Sequence, residues 1–490
     1  MSTGGIADAV RQGPGAADAA AIVNNGRVWT FQALLDAAEA LAERLTGPGV
    51  PHRRPVNAEL SDPVATAMAT LGCDLAGLPI VHRDPAMPQS APGAVTLHDG
   101  RARTPGADER RLADTGLWLR WDERGSDDAP GMAGLPGRSQ IFLTSGSTGT
   151  PTGVVTTATA VLLSARRIAR FLGYGPDTPV LTCAPVFHGY GFSTGLLAPL
   201  LRGAPVWFCS PRSVPSQLDR AARHHGAHTM VALPSHYNLI AGLPEDAAPS
   251  PGDTKGLAGL RGCVSGGAPL PPGAAARLLR RYSFTLYNGY GSSEAGIIAF
   301  KPVTGEDDPG DVGVPLPGIS VRIDTAAETG DPAPDGEGRG GTTGELLLSS
   351  DGMAAGRMEP GGMRPLDLDD GWYRTGDLAS IDPSSGAIRL LGRVDTMINV
   401  AGEKVGPAEV ERVLAAHPGV LDVQVLPAPD RVRGQVPVAR VVLRDAAAEG
   451  SLIAWCRERL APHQVPARIE RVAAIPRSAT GKPLRGRVPS

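Results

Sequence analysis

Hydroxyl residues and glycines alternate in the stretch from Leu143 to Val155, a pattern suited to binding an anion. Hydroxyls can donate to phosphate oxygens, and glycines let backbone N–H groups approach a ligand without an intervening Cβ. This is not a Walker A loop, because Pro151 and Thr152 stand where Gly-Lys would follow Gly146. Taken alone, the stretch also fits a plain flexible connection. The residues predicted to bind phosphate are Thr144, Ser145, Gly146, Ser147, Thr148 and Gly149.

A second stretch, Tyr287 to Gly296, combines an aromatic ring with glycines, hydroxyls and a carboxylate. Tyr290 can stack on a base, and Glu294 offers hard oxygen ligands to Mg2+. A dinucleotide fingerprint is a poorer fit, because Glu294 occupies the position of its third glycine. A glycine-rich turn with a surface glutamate is the alternative. The nucleotide-binding residues predicted here and in the Ser265–Leu270 loop are Gly267, Ala268, Asn288, Gly289, Tyr290, Gly291, Ser292 and Ser293.

Three further positions carry chemistry-bearing side chains. His188 follows a predicted strand, Pro179–Ala184, and strand ends are where α/β proteins hold ligands. Asp377 ends a Thr-Gly-Asp turn, and Lys482 follows Gly481 near the end of the chain. Each feature is ordinary by itself, and His188 also fits a packing role.

Together these motifs resemble the adenylate-forming superfamily, which comprises acyl- and aryl-CoA ligases, peptide-synthetase adenylation domains and luciferases. The resemblance is carried in chain order by Leu143–Val155, Tyr290–Glu294, Thr375–Asp377, Leu391–Glu411 and Pro476–Arg485. The acyl- and aryl-CoA ligases are the most similar branch. Thr152 departs from the family pattern, which has lysine there.

The resemblance implies roles for individual residues. Asp377 would accept hydrogen bonds from both ribose hydroxyls, and Arg393 would contact ribose or phosphate. Lys482 matches the catalytic lysine. Asp395 matches the hinge between domains, and Gly402 and Lys404 lie in the segment that lines a pantetheine tunnel. The Phe-His pair at His188 is typical of enzymes for fatty or aryl acids, whereas amino-acid-activating domains have Phe-Asp.

The implied reaction joins a carboxylic acid to AMP, releases pyrophosphate and passes the acyl group to a thiol. The resemblance assigns catalytic roles to Lys482, Glu294 and His188, with Glu294 as the metal ligand.

The chain ends eight residues after Lys482, so we expect an external acceptor: coenzyme A or the phosphopantetheine of a separate acyl carrier protein. One alternative acceptor is an amine or a small nucleophile such as nitrite. A non-catalytic nucleotide-binding homologue is a further alternative, favoured only by Thr152. The sequence does not identify the acid, although it is compatible with an aryl or medium-sized acid in a biosynthetic, secondary-metabolic pathway.

Short apolar strands alternate with helical patterns, which predicts an α/β fold with mostly parallel sheets covered by helices. We expect a large N-terminal domain over residues 1–392, a hinge at 393–396 and a small mobile α+β domain over 397–490. Residues 140–172 are interpreted as strand, loop and helix, and Tyr287 to Gly296 as a loop. Residues 85–137 show little pattern apart from a strand near Gly116–Trp121.

Composition limits the classes of function. The 490 residues exceed one ordinary core, and a net charge of -3 argues against nucleic-acid binding. The sequence has no long apolar run and no signal-peptide layout, so we expect a cytoplasmic enzyme, monomeric or homodimeric, with no membrane partner. The five cysteines are far apart, which predicts reduced thiols and no structural zinc site. The cluster of His224, His225 and His228 is interpreted as a solvated helix face.

Overall fold

A computed structural model describes residues 4–48, 50, 54–85, 95–99, 110–112, 117–120, 134–144, 152–244, 255–270, 273–305, 310–325, 342–359 and 362–477. The elements up to residue 144 are α1 (Ile6–Arg11), β1 (Ala20–Asn24), β2 (Arg27–Thr30), α2 (Phe31–Leu45), β3 (Val56–Glu59), α3 (Pro63–Leu75), β4 (Ile80–His82), β5 (Val95–His98), β6 (Arg110–Leu112), β7 (Leu117–Arg120) and β8 (Gln140–Thr144).

The middle of the chain continues this alternation. Its elements are β9 (Thr152–Thr156), α4 (Ala158–Leu172), β10 (Val180–Thr182), α5 (Gly189–Phe192), a π-helical turn (Ser193–Leu197), α6 (Ala198–Leu200), β11 (Val206–Phe208), α7 (Pro215–His225), β12 (Thr229–Ala232), α8 (Pro234–Ala241), a 3-10 turn (Gly256–Gly259), β13 (Gly262–Gly266), α9 (Ala274–Arg281), β14 (Thr285–Ser292) and β15 (Gly296–Pro302).

Strands dominate the remainder. They are β16 (Asp311–Gly313), β17 (Ile319–Asp324), β18 (Thr343–Ser350), β19 (Gly356–Glu359), β20 (Gly362–Pro365), β21 (Leu368–Asp369), β22 (Trp372–Ile381), β23 (Ile388–Arg393), β24 (Ile398–Val400), β25 (Glu403–Val405), β26 (Val420–Asp430), β27 (Gly434–Leu443) and β28 (Arg468–Arg471). Between them lie α10 (Pro407–Ala415), α11 (Leu452–Arg457) and the 3-10 turns Val394–Thr396 and Ala446–Ser451.

The first large sheet places the predicted ligand groups at one edge. Its strand order is β15-β14-β13-β12-β10-β11-β1-β2, parallel from β14 to β1 and antiparallel at both ends. All four residues of β12 are buried, as expected for a parallel strand that is covered on both faces. The carboxyl ends of β10, β12, β13 and β14 therefore meet at one edge of the sheet, where open α/β sheets bind ligands.

The second large sheet contains β8 and β9, the strands that flank the predicted phosphate-binding stretch in the sequence. Its order is β20-β19-β9-β8-β4-β3-β5-β7-β6, and β8, β4, β3 and β5 are mutually parallel. Helices lie between the two large sheets, and their buried residues join one hydrophobic cluster with the strands, including Leu34, Met68, Phe142, Ile168 and Val206.

Helix ends follow local sequence signals. The Thr30 hydroxyl accepts a hydrogen bond from the Ala33 N–H at 3.1 Å and begins α2, whose leucines 34, 35, 41 and 45 are buried on one face. Thr157 begins α4 in the same way, and Gly173 ends it in the left-handed conformation at φ 67°.

An antiparallel sheet and a small C-terminal unit complete the structure. The antiparallel sheet has the order β16-β23-β22-β18-β17, with β21 paired to β22. The C-terminal sheet, β25-β24-β27-β26 with β28 beside β27, packs with α10 and α11 around a hydrophobic cluster of its own that includes Ile398, Val410, Val441 and Leu452. The predicted fold class, a large α/β domain with a smaller α+β unit, is confirmed.

Three local predictions were wrong. The stretch after residue 144 does not lead directly into a helix: β9 intervenes, because Val154 and Val155 are β-branched and buried, and β9 pairs with β8. The Tyr287–Gly296 stretch is a hairpin rather than a loop. The region between 85 and 137 holds more strand than predicted, since β5 is entirely buried and pairs with β3.

All five cysteines are free thiols, as predicted, and four of them are buried. Within the described part of the chain, no helix is both long enough and apolar enough to cross a membrane.

Candidate active site

A cleft of about 3530 Å³ opens at the carboxyl edge of the first sheet and extends to the C-terminal unit. Most of the predicted site residues line it together, although they come from positions more than 200 residues apart. The lining includes His188, Gly267, Ala268, Asn288, Gly289, Tyr290, Gly291, Ser292, Ser293, Glu294, Asp377, Arg393, Gly402 and Lys404. The predicted loop residues Ser145 to Gly149 and Lys482 lie outside the described residues, and Thr144 ends β8.

The Asp377 carboxylate is held from two sides. Tyr290 donates its phenolic hydrogen to Oδ2 at 2.6 Å, and Arg393 Nη1 donates to Oδ1 at 3.0 Å. Each carboxylate oxygen has a second lone pair, so an oriented Asp377 can also accept from two vicinal hydroxyls. Burial, and next the Asp377 charge, raise the pKa of Tyr290, which therefore remains a donor.

The turn before Asp377 depends on glycine. Gly376 has φ 72°, and a Cβ there would lie 2.8 Å from Arg393 Nη2. Its N–H donates to Glu345 Oε1 at 3.1 Å, while the Thr375 hydroxyl donates to the Leu346 carbonyl at 2.7 Å. Two anchors thus fix the backbone that presents Asp377.

Arg393 links Asp377 to the predicted hinge. Its Nη1 contacts Asp377, and its Nε donates to Asp395 Oδ1 at 2.9 Å. Burial alone would lower the pKa of Arg393, but the hydrogen bond to Asp395 and the two carboxylate charges raise it overall. Asp395 lies in the 3-10 turn Val394–Thr396, immediately before the C-terminal unit.

Glu294 lies in the turn between β14 and β15, where Gly291 and Gly296 come close together. A Cβ on Gly291 would lie 2.3 Å from the Gly296 carbonyl oxygen, so this approach requires glycine. Glu294 Oε1 accepts from Arg357 Nη2 at 2.8 Å, and Arg357 Nη2 also donates to the Tyr373 hydroxyl at 3.1 Å. Among the described residues, Glu294 Oε2 has no hydrogen-bond partner.

The available carboxylate oxygen of Glu294 suits Mg2+ that is also coordinated by phosphate oxygens of a ligand. Within the described ranges, no cluster of three or more His, Cys, Asp or Glu residues could hold a metal ion by itself. Mg2+ commonly uses one or two protein carboxylates together with substrate phosphates and water. Glu294, with one carboxylate oxygen available, can therefore supply the protein's share of the ligands.

Tyr190, His188 and Ser193 line one part of the cleft, called the Tyr190 pocket. The Tyr190 hydroxyl lies 3.1 Å from the carbonyl of Ala232, the last residue of β12, and 2.8 Å from the carbonyl of Val264, in the middle of β13. A Cβ on Gly266 would lie 2.6 Å from the Tyr190 ring, so the ring rests directly on that backbone. His188 precedes α5 on the same side of the cleft, 4.7 Å from the Phe187 ring between centroids.

The β24–β25 hairpin brings the C-terminal unit to the cleft. Gly402 occupies its turn at φ 97°, and its N–H donates to Asn399 Oδ1 at 2.9 Å. Lys404 follows on β25, and His463 Nδ1 lies 2.9 Å from Glu403 Oε2 beside it.

Sequence reasoning missed Arg357, Tyr373 and Glu345. Arg357 contacts the predicted residue Glu294, Tyr373 contacts Arg357, and Glu345 anchors the backbone at Gly376, next to Asp377. Each is brought there by strand pairing over a long range: β19 lies beside β9, and β22 beside β18. Arg357 follows a glycine in an otherwise unremarkable segment, so the sequence around it carries no signal of a site.

Comparisons with known proteins agree with this geometry. The family described as AMP-binding enzyme matches residues 137–356, and the AMP-binding enzyme C-terminal domain matches residues 409–482. A feruloyl-CoA synthase from Amycolatopsis sp. is 31% identical over 74% of this chain and 72% of its own length. A sulfoacetate–CoA ligase from Cupriavidus necator is 32% identical over 70% of this chain, which spans only 65% of that ligase. The amide bond synthetase McbA from Marinactinospora thermotolerans superposes with a TM-score of 0.78 at 25% identity, covering 98% of this chain and 97% of McbA.

Proposed function

Because the chain belongs to the AMP-binding enzymes, in the acyl- and aryl-CoA ligase branch, we propose that it activates a carboxylic acid with ATP and transfers the acyl group to a thiol. The observation that carries this proposal is the Tyr290–Asp377–Arg393 network, which faces the same cleft as Glu294. A paired carboxylate suits ribose, and a carboxylate nearby suits a metal on phosphate.

In the first half-reaction, a carboxylate oxygen of the acid attacks the α-phosphorus of ATP. The bond from that phosphorus to the bridging oxygen breaks, leaving acyl-AMP and pyrophosphate. Mg2+ held by Glu294 would neutralise charge on the phosphates. Lys482 would stabilise the charge at the forming bond, and Asp377 and Arg393 would hold the nucleoside.

In the second half-reaction, a thiol loses its proton and its sulfur attacks the acyl carbonyl. AMP leaves as the thioester forms. We propose that residues 1–392 form the large domain and that residues 397–490 rotate about 393–396 between the two steps. Gly402 and Lys404 would then line the path of the thiol.

Coenzyme A is the acceptor favoured by the names of the relatives, and a carrier-protein phosphopantetheine offers the same thiol. The likeness to an amide bond synthetase favours one second candidate, in which an amine takes the acyl group. His188 and the Tyr190 pocket favour an aryl or medium-sized acid over an α-amino acid. Free cysteines throughout suit a reducing cytoplasm.

The test is a panel of aryl, aliphatic and amino acids incubated with ATP, Mg2+ and hydroxylamine, with hydroxamate as readout. We expect an ATP-dependent signal from aryl or aliphatic acids. An amino acid preferred over every simple acid would contradict the proposed substrate class. Replacing hydroxylamine with coenzyme A or with primary amines then identifies the acceptor.

A further inference from the structure

The first residue of β9 carries no charge, although the resembled family pattern has a cation at this position. Thr152 stands where the resembled pattern has lysine, and a neutral hydroxyl cannot balance phosphate charge. Strand β19 lies directly beside β9 and brings Arg357 opposite Val154.

Arg357 and Thr152 lie on the same face of the sheet. A Cβ on Gly153 would meet Ile141 and Met358, so Gly153 and Met358 share the opposite, apolar face. Alternation along each strand then places Thr152, Val154 and Arg357 together. Thr152 is the diagonal neighbour of Arg357, a relation that corresponds to about 7–8 Å between strands.

The Arg357 guanidinium extends toward the predicted metal ligand. Its Nη2 contacts both Glu294 and Tyr373. Among the described residues, Nε and Nη1 have no hydrogen-bond partner. The Arg357 side chain is 45% exposed, whereas that of Glu294 is 13% exposed, so the ion pair is screened by solvent and can exchange.

We propose that Arg357 binds the β- and γ-phosphates of ATP and supplies the charge that Thr152 does not. A guanidinium presents a planar pair of donors that matches two phosphate oxygens, and Nε with Nη1 forms such a pair. This assignment rests on the proposed function and concerns the same cleft. Because AMP lacks both outer phosphates, Arg357 discriminates ATP from AMP.

Binding of ATP and AMP, measured separately by calorimetry in Mg2+ buffer without acid, tests the assignment. Arg357→Gln should weaken ATP binding about 10- to 100-fold, the range for charge-assisted hydrogen bonds, and change AMP binding less than about twofold. Arg357→Lys keeps the charge but loses the planar pair of donors. Its ATP affinity should therefore be intermediate between those of the wild type and Arg357→Gln. The matched control is Arg364→Gln, which removes the same charge from the residue opposite Arg357 on β20, one strand farther from Thr152.

Thr152→Lys provides the rescue. Added to Arg357→Gln, it should recover at least part of the lost ATP affinity without altering AMP binding. Equal losses for ATP and AMP with a lower melting temperature would show that Arg357 only supports Glu294 and Tyr373, and would overturn the assignment. Unchanged ATP affinity would overturn it too. Neither result bears on the proposed function, which is contradicted only if the wild-type protein activates no acid in the panel.

Discussion

At the scale of single residues, Asp377 is proposed to hold the nucleoside. Its oxygens are oriented by Tyr290 and Arg393, so its effect should be the same for any nucleotide with a ribose. Asp377→Asn keeps the shape and removes the charge. We expect ATP and AMP affinities to fall together by about 10-fold or more in calorimetry.

This equal loss distinguishes Asp377 from Arg357, whose effect is confined to ATP. Asp369→Asn, on the neighbouring strand β21 with a side chain 64% exposed, is the control and should bind both nucleotides normally. AMP binding that survives Asp377→Asn would show that ribose is held elsewhere.

Tyr190 should set the size of the acid. Its ring rests on Gly266 and its hydroxyl contacts the Val264 carbonyl, so Tyr190→Ala opens room for a larger acyl group. The ratio of kcat/KM for a bulky acid over a small one should rise by about 10-fold or more, the scale of hydrophobic pocket discrimination. Tyr190→Phe keeps the ring and should leave the ranking of acids unchanged. A ranking that does not move in Tyr190→Ala would place the acid outside this pocket.

At the scale of elements, the β4–β8 pair supports the strand that leads to the phosphate loop. His82 on β4 is buried, its Nε2 lies 2.9 Å from Gln140 Oε1, and its ring stacks on Phe142 at 4.7 Å. Burial lowers the pKa of His82 to about 4 from 6.5. The folded state therefore resists protonation, whereas the unfolded chain takes up a proton below about pH 6.5.

Stability from neutral His82 is therefore present above pH 6.5 and is lost as the pH falls toward 4. Between pH 6.5 and pH 4, this effect lowers the free energy of unfolding by on the order of 3 kcal/mol. His82→Phe should lower the free energy of unfolding at pH 7 and flatten its decline between pH 6.5 and 4, as measured by urea unfolding at several pH values. An unchanged decline would mean that other groups dominate acid unfolding.

Many of the helices and strands could be predicted from the sequence. The start of α3 follows from local signals, because Asp62 caps the helix and Pro63 suits its first position. Strand β9 was missed, because hydrophobic periodicity beginning at Thr157 masked the two valines before it. Pairings such as β19 with β9 join positions about 200 residues apart, and local pattern carries no information about them. The same limit hid Arg357, whereas Glu294 and Asp377 lie in motifs that are recognisable locally.

At the scale of the whole molecule, the proposed two-step reaction requires two arrangements of the domains. Lys482 is proposed to contact the forming bond during adenylation and to be withdrawn during thiol attack. Lys482→Ala should reduce adenylation on the order of 10²–10³-fold or more. Given chemically prepared acyl-adenylate and the thiol, the same variant should form thioester at nearly the wild-type rate.

Asp395→Pro should show the reverse pattern, because proline restricts the backbone at the proposed hinge. The Arg393–Asp395 ion pair is lost as well, so Asp395→Ala is the matched control for the side chain. Equal losses in both half-reactions for Lys482→Ala, with folding and ATP binding intact, would refute the rotation and leave the lysine a general binding role.

Every proposed residue role depends on acid activation through an acyl-AMP, and isotope exchange between pyrophosphate and ATP tests that step most directly. With Mg2+, a suitable acid and no thiol or amine, labelled pyrophosphate should enter ATP, because the carboxylate and the α-phosphate join and separate reversibly. The exchange should require the acid and should disappear in Lys482→Ala. Phosphate and ADP as products, or no exchange with any acid in a panel that yields thioester once coenzyme A is added, would contradict the account.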